Sequence, residues 1–308
     1  MQFDLRSWIW RHTPQAVIEN LRRARKMYRR RHYYTDKLYG SDGGLTGPEL
    51  ESAFREVGLE KGDLVLVHSA MSGLGLVEGG EETLIGALLA VLTPSGTLAM
   101  PTFTVRDSML ARAQSGEIFD VRHTPSQTGK LTERFRHYPG AVRSVHPTHS
   151  VTAVGDRAGW LVEGHQNCAT PFGADSPFAR LIEGRGKILC SGVEISYITS
   201  YHAFEDMSSD FPEEVYLPDS YSLPVVDAQG RPFDMVTRIH DPQLAVRRIE
   251  KRPEVLEQVK NYLAQSSRLK SIDIGKGAVY LIGAYELNEA LGELLERGIT
   301  IYSQKEEN

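Results

Sequence analysis

The stretch DLVLVHSAMSGLGLVEGGEETLIGALLAVLTPSGTLAMPTF, residues 63–103, decides how this chain folds. DLVLVH (63–68) is a short, nearly unbroken apolar run, the pattern of a strand buried on both faces. GEETLIGALLAVL (80–92) follows as a helix, PSG turns the chain, and TLAMPTF (97–103) is the next strand. Strand, helix and strand within about forty residues imply a parallel pair joined by a crossover helix, hence an α/β sheet covered by helices.

The same grammar extends outward. Thr46 with Glu49 three residues on has the form of a capping box that opens a helix running to about Val57. Downstream, a helix is expected near 128–137, a weaker strand at SVTAVG (150–155) and a buried strand at KILCSGV (187–193). Residues 210–240 read as an antiparallel elaboration with turns at LPDS and DAQG. A helix from Pro253 to Ala264, a strand at AVYLIGA (278–284) and a closing helix at YELNEALGELLER complete the pattern. The expected fold is a single α/β domain, a central mixed sheet flanked by helices, over residues 46–308. Residues 1–45 are expected to form a basic N-terminal helical arm ahead of it.

Composition limits the function. The 308 residues are 41% hydrophobic and 24% charged, as in ordinary globular proteins. A formal charge of −5 argues against coating nucleic acid, which needs a net basic surface. Two cysteines, Cys168 and Cys190, give neither a disulfide framework nor a metal knuckle. No apolar run reaches the ~18 residues of a membrane span, and the N-terminus lacks a signal-peptide pattern, so a cytoplasmic protein is expected. In LRRARKMYRRRHYY (21–34), seven Arg/Lys fall within positions 22–31, downstream of Trp8, Ile9 and Trp10. As a helix, residues 14–34 carry a thin stripe of Val17, Leu21, Ala24 and Tyr28. Residues 8–34 thus suit peripheral contact with an anionic membrane, or packing on a second subunit of a homo-oligomer or on the domain's own acidic face.

Chemistry-bearing motifs are few. SGLGLVEGG (72–80) lies between a strand and a helix but fits neither G-x-G-x-x-G nor a P-loop. RSVHPTHS (143–150) holds two histidines but no third ligand at a diagnostic spacing, so no metal is expected. No G-x-S-x-G elbow is present. In GVEISYITSYHAFED (192–206), His202 and Glu205 are three apart and share one helix face. Such a pair suits a metal half-site, a catalytic base with its orienting acid, or a solvated helix start.

Several segments, in order, resemble the aminoglycoside 3-N-acetyltransferase family. They are LVHSAMSGLGLVEGGEETLIGALLAVLTPSGTLAMPTFT, FDVRHTPSQTGKLTERFRHYPGAVRSVHPTHSVTAVG, GHQNCATPFGADSPFARLIEGRGKILCSGV and TSYHAFE, with SIDIGKGAVYLIGAYELNEAL near the end. The resemblance spans roughly residues 46–295. It implies acetyl-CoA as co-substrate and acyl transfer to a primary amine of an amino sugar. Carried over residue by residue, it makes His202 the general base, Glu205 its neighbour, and Asp241, in RIHDPQ, a second supporting acid. His68, Ser69, Ala70 and Met71 match a segment lying against the cofactor. Thr124, Ser126, Arg143, Ser144 and His146 match two further cofactor-lining elements. The stretch before the histidine departs from the family's polar pattern and reads EISYITSY, which assigns Tyr197 and Tyr201 to a flatter, less charged acceptor. Two enzymatic readings follow, an aminoglycoside-type acetyltransferase or a biosynthetic N-acyltransferase acting on a nucleotide- or lipid-linked amino sugar of surface polysaccharide. A catalytically silent CoA-binding protein of the same fold is the third.

Overall fold

Leu64, Val65, Leu66 and Val67 are each no more than 2% exposed, because β1 (Leu64–Ser69) runs through the middle of a seven-stranded sheet. The computed structural model describes residues 43–105 and 108–302. By its internal contacts the chain divides into Met1–Gly44 and Leu45–Asn308. The basic arm, with the expected membrane-facing stripe of residues 8–34, lies outside the described residues.

In chain order the elements are α1 (Gly47–Val57), β1, α2 (Met71–Leu74), α3 (Glu81–Leu92), β2 (Thr97–Pro101), α4 (Met109–Gln114), β3 (Phe119–Asp120) and α5 (Lys130–Phe135). Then come β4 (Val142–Arg143), β5 (Val151–Gly155), α6 (Ala158–Val162), α7 (Pro177–Glu183), β6 (Lys187–Ser191) and α8 (Tyr201–Met207). The last are β7 (Tyr216–Val226), β8 (Pro232–His240), α9 (Pro253–Gln265), β9 (Lys270–Ile274), β10 (Gly277–Gly283) and α10 (Ala284–Leu295). The capping box forms as read, with the Thr46 backbone N–H donating to Glu49 Oε2 at 2.8 Å.

The large sheet has the order β4-β5-β2-β1-β6-β10-β9. Its centre is parallel, β1 pairing with both β2 and β6, while β5 and β10 add antiparallel strands on either side. Side-chain alternation along β1 explains the two-layer covering. Val65 and Val67 point into a core shared with Phe54 of α1 and Leu84 and Leu88 of α3. Leu64 and Leu66 point the other way, into a core with Phe178 and Leu181 of α7 and Leu287 and Leu291 of α10. β3, β7 and β8 form a separate three-stranded sheet.

Two local expectations change. LPDS is not a turn. It lies inside β7, where the register against β8 shifts between Tyr216 and Ser220, and only the DAQG turn reverses the chain. KSIDI (270–274) is an edge strand that the sequence did not announce, since its side chains are half-exposed and mostly polar.

The glycines of SGLGL serve close packing. A Cβ on Gly73 would stand 1.9 Å from the Gly192 carbonyl oxygen, and one on Gly277 would stand 2.5 Å from the Gly73 oxygen. Three backbones therefore meet at the carboxyl ends of β1 and β6 with no room for a side chain. Gly73→Ala is expected to destabilise the fold by about 2–3 kcal/mol through forced overpacking. The matching fall in Tm is roughly 5–10 °C, and a melting curve unchanged within error would refute the close-packing account.

Candidate active site

In the parallel core of the sheet, β1 and β6 run side by side, with Ser69 opposite Ser191. Both strands therefore deliver their carboxyl ends to one edge, the place where open α/β sheets bind ligands. From Ser191 the chain turns at Gly192, in a left-handed conformation (φ +68°), and passes a short 3-10 turn over Ile195–Tyr197. Glu194 caps that turn by accepting from the Ile195 N–H, and it also pairs with Lys260. The path ends in α8, which brings His202 and Glu205 to the same edge.

His202 Nδ1 lies 2.9 Å from Glu205 Oε2. The other carboxylate oxygen, Oε1, accepts from the Tyr302 hydroxyl at 2.9 Å. The His202 side chain is 13% exposed and that of Glu205 only 1%, so the imidazole reaches the surface while its partner lies beneath it. His240, on the last position of β8, turns Nε2 toward Glu205 Oε2 at 3.7 Å, and its Nδ1 accepts from Arg248 Nη2 at 3.3 Å. Phe172 is the hub of the wall, with ring centroids 5.1 Å from His149, 5.2 Å from His202 and 5.5 Å from His240.

Burial dominates the electrostatics. It pushes the Glu205 carboxyl up to about 8, against the Tyr302 hydroxyl and the Arg248 guanidinium, which both favour the carboxylate. Burial, and secondarily Arg248, holds the His202 imidazole well below its usual range, so it is neutral near pH 7. Once Glu205 ionises, which burial defers to about pH 8, it accepts a hydrogen bond from His202 Nδ1–H and leaves a lone pair on Nε2, the form a general base requires.

His202, Glu205 and His240 also bring one potential ligand atom each within 4.8 Å of one another. Their chemistry does not favour a cation. Arg248 donates to His240 Nδ1, which leaves the proton of that neutral ring on Nε2, the atom that would have to ligate. The guanidinium beside them also repels a metal ion.

Asp241 is not the second support of His202. Its carboxylate accepts from the Gln243 N–H at 2.8 Å and caps the 3-10 turn that follows β8. β8 ends at His240, which faces Glu205, and the chain turns away at Asp241. Asp206, one helical turn beyond His202, accepts from Thr170 and from the Tyr216 hydroxyl. Burial raises its carboxyl to about 6.

Of the residues expected against the cofactor, His68, Ser69, Ala70 and Met71 stand at the carboxyl end of β1. His68 Nε2, Ser69 Oγ and Ser191 Oγ are buried without a hydrogen-bond partner among the described residues. Burial lowers the His68 imidazole to about 4. The Ala70 N–H is taken up by the Ser191 carbonyl. Of the second group, Arg143 lines a cavity together with Arg122, Arg136 and Asp227, and the polar atoms of all five are engaged within the protein. Arg143 donates to Ser150 Oγ and to the carbonyls of Thr124 and Thr102, and stacks on Phe119. Thr124 Oγ1 accepts from the Asp120 N–H, and Ser126 shares hydroxyl bonds with Thr128 and Thr132. Ser144 Oγ bonds His165 Nδ1, and His146 Nδ1 accepts from the backbone of His149. These five residues brace the β3–β5 loops from inside. Tyr197, in the 3-10 turn on the path to α8, is 60% exposed. Tyr201 is 1% exposed and belongs to the core, not to an acceptor site.

The sequence reading also passed over His240, Arg248, Phe172 and Tyr302. Only His240 left a trace, in the RIHDPQ segment itself.

The model of the family described as Aminoglycoside 3-N-acetyltransferase matches residues 66–296. Aminoglycoside N(3)-acetyltransferase IX of Micromonospora chalcea is 32% identical over 185 residues, 56% of this chain and 65% of that protein, just under two thirds of its length. Aminoglycoside N(3)-acetyltransferase III of a Salmonella species is 27% identical over 256 residues, 79% of this chain and 88% of that protein. The crystal structure of aminoglycoside acetyltransferase AAC(3)-Xa superposes with a TM-score of 0.74 at 27% identity, covering 88% of this chain and 99% of that one. With a family match over most of its described length and a fold that follows a solved member across nearly its whole extent, this chain belongs to the aminoglycoside 3-N-acetyltransferase family.

Proposed function

We propose that this chain is an acetyl-CoA-dependent N-acetyltransferase that acylates a primary amine of an aminoglycoside, with His202 as general base. The observation that carries the reading is the 2.9 Å bond between His202 Nδ1 and Glu205 Oε2 at the carboxyl edge of the sheet. The unpartnered buried hydroxyls of Ser69 and Ser191, with His68 Nε2 behind them, suit the amide-rich arm of coenzyme A. When bound, acetyl-CoA supplies the thioester carbonyl that is transferred.

The chain's own residues then have defined tasks. The ionised Glu205 accepts a hydrogen bond from Nδ1–H and fixes the tautomer, which leaves Nε2 of His202 as the proton acceptor. Amines are largely protonated near neutral pH and carry no free lone pair. The base removes the proton, directly or through a water, and so makes the nitrogen nucleophilic. Phe172 forms an apolar wall against the ring and keeps bulk water from its face. No side chain is acylated in this scheme.

A second reading keeps the chemistry and changes the acceptor to a nucleotide- or lipid-linked amino sugar. It is favoured by the stretch before the base. Ile195 and Ile198 are buried there, Glu194 is paired with Lys260, and Tyr197 is strongly exposed, so this stretch offers a polycation no unpaired acidic group. Peripheral membrane contact through residues 8–34, and a homo-oligomer, belong to this reading and rest on the seven Arg/Lys of positions 22–31.

One experiment tests both. Acetyl-CoA is incubated with an aminoglycoside panel and with nucleotide-linked amino sugars, thiol release is followed, and products are weighed by mass spectrometry. Mono-acetylated aminoglycoside supports the first reading, and acetylation confined to the nucleotide-linked sugars replaces it with the second. Coenzyme binding without product on any amine would leave a silent CoA-binding protein.

A further inference from the structure

The carboxylate that orients His202 is completed from outside the segment that matches the family. The match ends at residue 296, whereas the hydroxyl on Glu205 Oε1 comes from Tyr302. Tyr302 is placed there by design of the backbone. Ile249 N donates to the Ile301 carbonyl at 2.8 Å, Arg248 and Tyr302 form an isolated antiparallel bridge, and Tyr302 N donates to Thr300 Oγ1 at 3.1 Å. The ring is 4% exposed and packs edge-on against Phe211 with centroids 6.3 Å apart. It is a short strap that runs back under α8 and delivers one hydroxyl to the floor of the site.

Resting on the reading of His202 as base, we propose that Tyr302 is a positioning residue of the active site. Its hydroxyl holds the Glu205 carboxylate in the orientation and the ionised form that keep the proton on His202 Nδ1 and the lone pair on Nε2.

The groups around Glu205 make this bond decisive. His202 and His240 face Oε2, and both are neutral imidazoles held below their usual range by burial. Arg248 approaches from the turn after β8 and favours the carboxylate. Glu213 opposes it from a distance, but its own charge is matched by Arg247 at 2.6 Å. Asp206 lies next to Glu205 on α8, with both carboxylate oxygens already engaged by Thr170 and Tyr216. On Oε1 the Tyr302 hydroxyl is the one hydrogen-bond donor among the described residues. Without it, a carboxylate that burial already pushes toward protonation loses its direct stabilisation. A protonated Glu205 would donate to Nδ1, move the imidazole proton to Nε2 and silence the base.

The test is Tyr302→Phe, which keeps the buried ring and removes the hydroxyl. The pH dependence of kcat/KM is measured for the wild type and the variant on one amine, so that the titration of the substrate cancels in the comparison. The midpoint of the rising limb is expected to move up by about one pH unit, the scale of one hydrogen bond to a carboxylate. At pH 7 the variant then turns over roughly tenfold more slowly, and it recovers most of the difference above pH 9. KM for acetyl-CoA stays the same. A variant that is slower with an unmoved midpoint, or indistinguishable from wild type, overturns the proposal. Should Tyr302→Phe fail to fold, 3-fluorotyrosine introduced at position 302 by codon suppression decides the question. Its more acidic phenol donates more strongly and should move the midpoint down, and no movement overturns the idea. Failure here is separable from failure of the base itself. If His202→Gln is inactive while the Tyr302 variants titrate like wild type, the base survives and the strap has no part in setting it.

Discussion

His202→Gln is expected to lower kcat/KM by about 10²- to 10⁴-fold, the range general-base catalysis contributes. Glutamine fills a similar volume and can still hydrogen-bond Glu205, yet offers no nitrogen that accepts a proton near neutral pH. The defect should fall on kcat while acetyl-CoA still protects the protein against thermal unfolding. That protection separates a lost base from a lost fold. The wild-type rate should rise with pH as Glu205, raised by burial to about 8, gives up its proton and lets Nδ1 hold the imidazole's. That rising limb should vanish in the variant, whose residual rate follows only the titration of the substrate amine. Near-normal turnover by His202→Gln on an established acceptor would remove this imidazole from the mechanism.

The second large effect concerns stability in acid. His68, His146, His149, His165, His202 and His240 are all held below their usual range by burial, His68 and His165 to about 4. The sign follows from linkage. Between their folded values and about 6.5, the unfolded chain binds protons that the native state refuses, so stability is present above pH ~6.5 and lost as the pH falls. For His68 and His165 alone, a depression of about 2.5 units each corresponds to roughly 3 kcal/mol apiece. Glu205 and Asp206, raised to about 8 and about 6, act in the opposite sense and soften the slope over its whole range. The loss from the histidines is complete only below about pH 4, so between pH 7 and pH 5 it lowers stability in part and is opposed by the two carboxyls. Urea titrations at pH 7, 6 and 5 should give falling midpoints. Midpoints that rise as the pH falls from 7 to 5 would show that the buried histidines do not govern the acid limb.

Much of the architecture was legible because its signals are local. The run DLVLVH and the periodic helix behind it announce β1 and α3, and the spacing of His202 and Glu205 places both on one face of a single helix turn. What could not be read depends on contacts between distant parts of the chain. Tyr302 reaches Glu205 across 97 positions, and nothing in GITIYS marks the tyrosine as special. His240 and Asp241 are neighbours in RIHDPQ, and only the end of β8 decides which one turns inward. Thr124, Ser126, Arg143, Ser144 and His146 carry a family pattern, but a pattern gives no side-chain direction. Their polar atoms are engaged by backbone and hydroxyl partners inside the loops. KSIDI escaped notice because an edge strand buries too little to show an apolar rhythm.

The two thiols carry a practical consequence for measuring the reaction. Cys168 and Cys190 are free and buried, burial raises the first to about 11, and the second lies at 1% exposure within β6. Neither offers an accessible thiolate near neutral pH. A chromogenic aromatic disulfide added to the native enzyme should therefore react with released coenzyme and leave the polypeptide untouched, giving a continuous trace with a flat blank.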